Sequence, residues 1–119
     1  MSGGGLLGGS KKAAKASATA LAVLLQEGEV VECLVHGQLY GDDGVAALTE
    51  RRLVFVNDKE WAPVVVAVPV DATLTVAGMQ DDRTASLSFT SAGNVIQIDR
   101  IGDRALAMEM AQRIRTRTT

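Results

Sequence analysis

The sequence is poor in the side chains on which most catalytic and metal sites depend. Its 119 residues include one cysteine, Cys33, and one histidine, His36. A single cysteine excludes an intramolecular disulfide, which is compatible with a reducing compartment, and a single histidine disfavours a His-based metal site. On a strand these two side chains, three residues apart, would point to opposite faces and could not form a nucleophile–base pair. We therefore expect no enzyme activity, and no catalytic, cofactor-binding or metal-binding residues.

Aromatic residues and long apolar runs are also scarce. Tyr40, Phe55, Trp61 and Phe89 are the only aromatic residues, which disfavours a site that stacks several bases or sugars on rings. The apolar stretch 18–25 is much shorter than the ~20 residues that a membrane-spanning helix needs. The polar residues that follow it lack a signal-peptide cleavage pattern. These features predict a cytoplasmic protein, with association with a membrane surface as a further option.

Charge is distributed unevenly along the chain. The first 26 residues carry Lys11, Lys12 and Lys15 but no acid, and all 14 acids lie between Glu27 and Glu109. Arg113, Arg115 and Arg117 make the C-terminal end basic again. If the two ends lie near each other, an acidic body would carry a basic side that could steer it to a membrane surface, a nucleic acid or another copy. Ordinary solvated termini are the alternative.

The first part of the chain predicts an arm and a helix. Residues 1–10 are rich in glycine and read as a flexible arm, and residues 11–27 contain many good helix formers. Leu21, Leu24 and Leu25 form one short apolar stripe on that helix. Such a stripe is too short to be stable alone and needs a surface to pack on.

From Glu29 onward the hydrophobic period changes to two, which predicts strands. Turn residues, including Asp42-Asp43-Gly44 and Ser91-Ala92-Gly93-Asn94, separate the segments. We expect seven strands, at Glu29–Leu39, Val45–Thr49, Arg52–Asn57, Val64–Val68, Thr73–Ala77, Thr84–Thr90 and Val95–Ile101. Leu87, Phe89, Ile96 and Ile98 should point inward. Short, regularly spaced strands favour a partly open barrel or sandwich.

A helix follows the last strand. Asp103 is its expected N-cap, and Leu106, Met110 and Ile114 lie four residues apart on a stripe that would pack on the sheet. Glu109 and Arg113 should form an i,i+4 ion pair. The expected fold is α+β but mostly β: seven strands closed by a C-terminal helix, with a short N-terminal helix before them.

Several segments resemble bacterial pleckstrin-homology-like domains. Leu25, Gly28 and Glu29 resemble the opening "L-x-x-G-E" of that family, and the segment 44–56 (GVAALTERRLVFV) is similar to its second hairpin. Val68-Pro69-Val70 looks like the element that leads into its next strand. The resemblance covers about residues 28 to 115 and implies a PH-like domain over residues 28–117 that binds or assembles rather than catalyses. The acidic residues Asp42 and Asp43, at a position where a phosphate site would need bases, argue against phosphoinositide binding.

Other conspicuous residues have structural interpretations. Arg51 and Arg52 could grip an anion, but we expect them to start a strand and pair with nearby acids. Cys33 should share a face with Val31 and Val35 as a buried, inert thiol. The aspartate pair Asp81-Asp82 lacks calcium-loop spacing and should solvate a turn.

The function that these patterns favour is a non-catalytic interaction or assembly module that binds a protein partner or itself. The alternatives are a peripheral module for anionic lipid surfaces and a nucleic-acid-associated protein, which the acidic body disfavours. No small-molecule substrate is indicated. Trp61 is either a lid on the barrel end or an exposed anchor for a partner. The candidate interaction residues are Leu21, Leu24, Leu25, Trp61, Lys11, Lys12, Lys15, Arg113, Arg115 and Arg117, together with the open sheet edges.

Overall fold

The computed structural model describes residues 25–57 and 65–118 as one antiparallel sheet and one helix. Within these ranges the chain forms β1 (Val31–Leu39), β2 (Asp42–Thr49), β3 (Arg52–Asn57), β4 (Val65–Pro69), β5 (Leu74–Gln80), β6 (Ala85–Ser91), β7 (Asn94–Ile101) and α1 (Arg104–Thr118). The strand order is β4-β3-β2-β1-β7-β6-β5, so the sheet is not closed and β4 and β5 are its edges. The seven predicted strands and the C-terminal helix are confirmed. The described helix is not long and apolar enough to cross a bilayer.

The predicted N-terminal helix, residues 11–27, lies outside the described residues except for its last three. Those three, Leu25–Glu27, are not helical. They lead into a turn in which the amide of Glu29 donates to the carbonyl of Gln26 at 3.0 Å and Gly28 has a φ of 77°. Strand β1 therefore begins at Val31, two residues later than expected.

The connection between β1 and β2 differs from the prediction. The turn consists of Tyr40 and Gly41, whose φ values of 54° and 84° are both positive, and Leu39 pairs directly with Asp42. Two residues with positive φ form the tight hairpin turn that suits the twist of antiparallel strands. The expectation that Asp42, Asp43 and Gly44 form this turn is therefore wrong, because all three belong to β2.

A β-bulge near the start of β1 changes the face on which Val31 lies. Three residues, Val31 to Cys33, lie opposite only Thr49 and Leu48 on β2. Cys33 and Val35 enter the main core, whereas Val31 packs on the opposite face of the sheet. The prediction that Cys33 is buried beside Val35 is confirmed, and the prediction that Val31 shares their face is wrong because the extra residue interrupts the alternation.

The main core lies between the inner face of the bent sheet and α1. As predicted, Leu87, Phe89, Ile96 and Ile98 point inward. The rings of Phe55 and Phe89 meet edge to face with their centroids 5.2 Å apart. This geometry is favourable for aromatic pairs and joins the two halves of the sheet.

Helix α1 closes this core in the way that its sequence indicates. Asp103 caps it, because its Oδ1 accepts a hydrogen bond from the amide of Leu106 at 2.9 Å. The helix buries Ala107, Met110, Ala111 and Ile114. Leu106 is only partly buried, at the margin of the predicted stripe.

The bend of the sheet requires a glycine at position 37. A Cβ at Gly37 would lie 2.3 Å from the carbonyl oxygen of Asp99 on β7, so that one backbone would have to move. A Cβ at Gly102 would meet nothing within 4 Å. This close approach accompanies the pairing of the end of β1 with β7.

We expect Gly37→Ala to lower the free energy of unfolding by about 2 to 3 kcal/mol, because overpacked sites relax at such a cost. Gly102→Ala is the matched control and should change stability by less than about 1 kcal/mol. Urea unfolding followed by circular dichroism measures both. Equal stability of the two variants would contradict the steric requirement at position 37.

Candidate interaction surfaces

The predicted interaction residues fall into two groups. Six of them lie outside the described residues: Leu21, Leu24, Trp61, Lys11, Lys12 and Lys15. The structure describes the other four, each of which contacts other residues of the same chain: Leu25, Arg113, Arg115 and Arg117. Leu25 is partly buried against an apolar cluster on the sheet.

The C-terminal arginines tie α1 to the sheet. Arg113 forms the predicted pair with Glu109, at 2.9 Å, and its Nη1 also lies 4.0 Å from Glu32. Arg117 donates to the carbonyl oxygens of Thr49 and Glu50 at 2.6 and 3.0 Å, and Arg115 donates to the carbonyl of Val76 at 3.3 Å. These contacts draw the guanidinium groups toward the chain's own acceptors.

A buried carboxylate organises the turn between β2 and β3. Arg52 donates through Nε and Nη2 to the two oxygens of Glu29 at 3.0 and 2.9 Å, and the Glu29 side chain has no solvent exposure. Thr49 Oγ1 and the amide of Gln26 also donate to it, at 2.7 and 2.9 Å. The predicted pairing of Arg52 with a nearby acid is confirmed. Arg51 instead donates to Gln26 Oε1 at 3.0 Å.

The hydrogen bonds to Glu29 determine its ionisation. The bonds from Arg52, followed by those from Thr49 and the amide of Gln26, lower the pKa of Glu29 from 4.5 to about 2, although burial acts in the opposite direction. The group is therefore ionised at neutral pH and fully occupied by the chain's own donors. It holds structure together and offers no free oxygen to a ligand.

Cys33 and His36 do not form a joint site. Burial raises the pKa of Cys33 to about 11, and its thiol lies 3.9 Å from the carbonyl oxygen of Leu106, so it is an unreactive side chain of the core. His36 lies on the opposite face, with Nε2 3.9 Å from Asp43 Oδ1. Within residues 25–57 and 65–118, no three His, Cys, Asp or Glu side chains are grouped so as to hold a metal ion.

The aspartates in two turns accept hydrogen bonds from residues of the same turns. Asp81 Oδ1 accepts hydrogen bonds from the amides of Arg83 and Thr84, both at 2.8 Å, and Asp71 Oδ1 accepts from the hydroxyl and the amide of Thr73 at 2.5 and 2.8 Å. The Thr73 hydroxyl, followed by its amide, lowers the pKa of Asp71, and the amides of Thr84 and Arg83 lower the pKa of Asp81. The turn-forming interpretation of Asp81 is confirmed. The open depression of about 780 Å³ beside this turn is lined by charges of both signs.

The two edges of the sheet differ in how they are protected. Helix α1 packs beside β5. Arg115 donates to the carbonyl of Val76 in β5, and Arg104 donates to the carbonyl of Asp81, the residue that follows β5. Among the described residues, none pairs with the free edge of β4. Its first four residues, Val65 to Val68, are all apolar, and only Pro69 interrupts the edge.

A groove lined by both apolar and polar residues, the latter including Ser91 and Asn94, adjoins this open edge. We call it the β4 groove; it has a volume of about 470 Å³ and lies between β4 and the β6–β7 turn. Tyr40 and Val95 stand at its rim, 55% and 58% exposed, and Val66, Val68 and Ile96 lie deeper. Sequence reasoning suspected the open edges but missed the groove. The sequence shows that β4 has no charged side chain, which indicates an unprotected edge. The contact between β4 and the β6–β7 turn depends on the tertiary fold and has no sequence signal.

A second apolar cluster lies on the face of the sheet opposite α1. We call this face the outer face; its outer cluster consists of Val45, Ala47, Val54 and Val56. All four are 1% exposed or less. Leu25, Val31 and Leu34 pack against them.

We expect Glu29→Gln to lower the free energy of unfolding at pH 7 by about 3 kcal/mol, because it removes the buried carboxylate charge to which Arg52 donates two hydrogen bonds. The pKa of Glu29 is depressed on folding, so its contribution should be complete above pH 4.5 and disappear as the pH falls through about 2. Urea unfolding of wild type and variant between pH 7 and pH 2 measures this difference. The exposed neighbour is the control: Glu27→Gln should change little, and a pH-independent gap between wild type and Glu29→Gln would contradict the role of the charge.

Comparison with known proteins supports the architecture. No protein-family model and no curated protein matches the sequence. The crystal structure of a pleckstrin homology domain from Shewanella amazonensis SB2B superposes with a TM-score of 0.55 at 17% identity, over 82% of this chain and 93% of that one. Similarity at this level of identity concerns the fold and leaves the ligand open. With seven antiparallel strands in an unclosed sheet and one C-terminal helix, this chain has the pleckstrin-homology-like fold.

Proposed function

We propose that this chain is a non-catalytic interaction module that binds an extended apolar segment of a protein, either a partner or a second copy, at strand β4. The observation that carries the proposal is the contrast between the two sheet edges. Helix α1 packs beside β5, whereas β4 is apolar and, among the described residues, pairs with β3 on one side and with no strand on the other.

An open edge of this composition suits strand addition. Half of the backbone N–H and C=O groups of an edge strand point away from the sheet and can pair with another chain. Natural proteins protect such edges with charged side chains, and Val65 to Val68 contain none. Because Pro69 has no amide hydrogen, the available edge is four residues long and suits a short segment.

The β4 groove supplies the apolar side-chain contacts that backbone pairing lacks. Tyr40 and Val95 are large and exposed at its rim, and aromatic residues are favoured where partners bind. A strand added to β4 would place alternate side chains toward Val66 and Val68, which point into the groove. The groove would then select apolar residues at every second position of the partner.

The alternatives from the sequence depend on the basic residues. Arg113 and Arg117 are engaged with Glu109, Glu32 and backbone carbonyls, which favours a structural role for them. Binding to anionic membranes would then depend on Lys11, Lys12 and Lys15, and about 1 kcal/mol per lysine is weak. Sedimentation with vesicles rich in anionic lipid at low salt tests this alternative, and retention on nucleic acid tests the other.

We expect Val65→Lys combined with Val95→Lys to weaken self-association or partner capture at least about tenfold, because both place a charge where an apolar strand would lie. Val30→Lys is the matched control, since Val30 is an equally exposed valine, 60% accessible, away from the groove. Solution mass is measured over a range of concentrations. Capture from nuclease-treated native lysate, washed at two salt concentrations and analysed by mass spectrometry, is compared among wild type, double variant and control.

If the solution mass of the wild type is a multiple of 12.5 kDa and that of the double variant is 12.5 kDa, the partner is a second copy. A captured protein that the double variant alone loses identifies a different partner. A single-chain mass together with identical capture by all three proteins would overturn the proposal.

A further inference from the structure

Three arginines of the otherwise acidic body meet beside the β5–β6 turn. The sequence between residues 27 and 109 contains six basic residues, and three of the six are Arg83, Arg100 and Arg104. Arg83 and Arg100 line the open depression of about 780 Å³ at this turn. Nη1 of Arg104 lies 2.6 Å from the carbonyl oxygen of Asp81, which lines the same depression. Half of the basic residues of the body therefore lie at one place on its surface.

A β-bulge directs Arg100 to this place. In the register of β6 and β7, two residues, Asp99 and Arg100, lie opposite Ser86 alone. Simple alternation from the buried Ile98 would turn position 100 toward the core. Because of the extra residue, Ile101 is buried instead and Arg100 is exposed. Bulges re-aim side chains in this way next to binding and active sites.

The backbone at Arg100 has a conformation that favours glycine. Its φ is 54°, in the left-handed region where a Cβ is strained. Bulges of this type usually have glycine at the left-handed position. Glycine would therefore suit the backbone better, and the arginine needs an explanation in terms of its side chain.

The two arginines that line the depression are unpaired in the part of the chain that the structure describes. No ion pair or side-chain hydrogen bond there involves the guanidinium of Arg83 or of Arg100. In contrast, Arg52, Arg113 and Arg117 each bond to a carboxylate or a carbonyl of the chain. The N–H donors of the first two arginines are therefore available to a ligand.

The carboxylates near the depression have other roles. Asp81 accepts from the backbone amides of its own turn, and Asp99 accepts from Gln97 Nε2 at 2.6 Å. Asp103 caps α1. Asp82 is exposed and lines the depression, but it pairs with neither of the two unpaired arginines. A carboxylate of the chain thus lies at the site and leaves these arginines unsatisfied.

We propose that the depression beside the β5–β6 turn binds a phosphate group, held by Arg83 and Arg100, with Arg104 adding positive charge. A guanidinium presents its N–H donors in a planar fork that matches two phosphate oxygens. A phosphate monoester has three acceptor oxygens and up to two negative charges, so two forks can bind it together. The proposal does not rest on strand addition at β4, because β5 is the opposite edge of the sheet.

Titration of the ¹⁵N-labelled full chain with inorganic pyrophosphate tests the proposal. We expect saturable shifts of the Nε–Hε resonances of Arg83 and Arg100. Arg83→Gln and Arg100→Gly should each weaken binding at least about tenfold, because each removes charge-assisted hydrogen bonds. Arg115→Gln is the matched control and should bind as wild type does, because it removes the same charge about 16 Å along α1 from Arg104. Sodium acetate at equal ionic strength is the control ligand and should give no saturable shift.

The stability of Arg100→Gly separates a binding role from a structural one. Relief of the left-handed strain should raise the urea midpoint by a few tenths of a molar while phosphate binding is lost. Ala92→Gly is the matched backbone control, because Ala92 has a φ of 50° in the β6–β7 turn. It should raise the midpoint to a similar extent and leave binding unchanged. A lower midpoint for Arg100→Gly would assign Arg100 to the structure of the bulge and overturn its role as a ligand-binding residue.

The remaining outcomes decide whether the site exists and which compound supplies the phosphate. The absence of a saturable shift, an equal response to acetate, or an equal loss of affinity in Arg115→Gln would overturn the proposal. Sedimentation with phosphatidylcholine vesicles, with and without phosphatidic acid, distinguishes the two sources. Vesicles with phosphatidic acid that retain wild type but not Arg100→Gly would assign the phosphate to a lipid headgroup. Pyrophosphate binding without retention on these vesicles would assign it to a soluble compound.

Discussion

The fully buried carboxylate of Glu29 and its bidentate bond to Arg52 hold three parts of the molecule together. Glu29 belongs to the turn before β1, and Arg52 is the first residue of β3. Thr49, at the end of β2, donates to Glu29 and accepts from the amide of Arg52. The C-terminal end of α1 reaches the same turn, because Arg117 donates to the carbonyl of Thr49. A buried ion pair adds little net stability when complete, but each partner becomes costly without the other, so the arrangement fixes one register for the hairpin.

The shape of the sheet follows from a few backbone constraints and decides which surfaces remain open. A side chain at position 37 would strike β7, so a glycine there lets one strand take part in both halves of the sheet. Seven strands bent in this way leave two edges, and the helix that fills the inner core packs beside one of them, β5. Because α1 packs beside β5, the edge at β4 is left with an apolar strand and a groove. The proposed binding surface is thus a consequence of topology.

The sequence predicted what depends on local pattern and failed where distant parts of the chain meet. Period-two alternation gave all seven strands, and the cap at Asp103 marked the start of α1 correctly. The turn at Tyr40 was missed because positive φ is unusual for tyrosine, and Asp42-Asp43-Gly44 is a stronger turn signal. The bulge that moves Val31 to the outer face has no local signature. A partner for Arg52 was expected, but its identity, 23 residues earlier, depends on the folded sheet. The β4 groove could not be predicted for the same reason.

Two surfaces lie outside the main core, the outer cluster and the β4 groove. They call for different explanations because the first is buried and the second is exposed. The outer cluster is buried and packs against Leu25, Val31 and Leu34, so its apolar contacts contribute to folding. Tyr40 and Val95 are exposed at the rim of the β4 groove, so their apolar surface contributes little to folding. The proposed recognition surface is therefore an edge strand that lacks the charged side chains with which sheet edges are commonly protected.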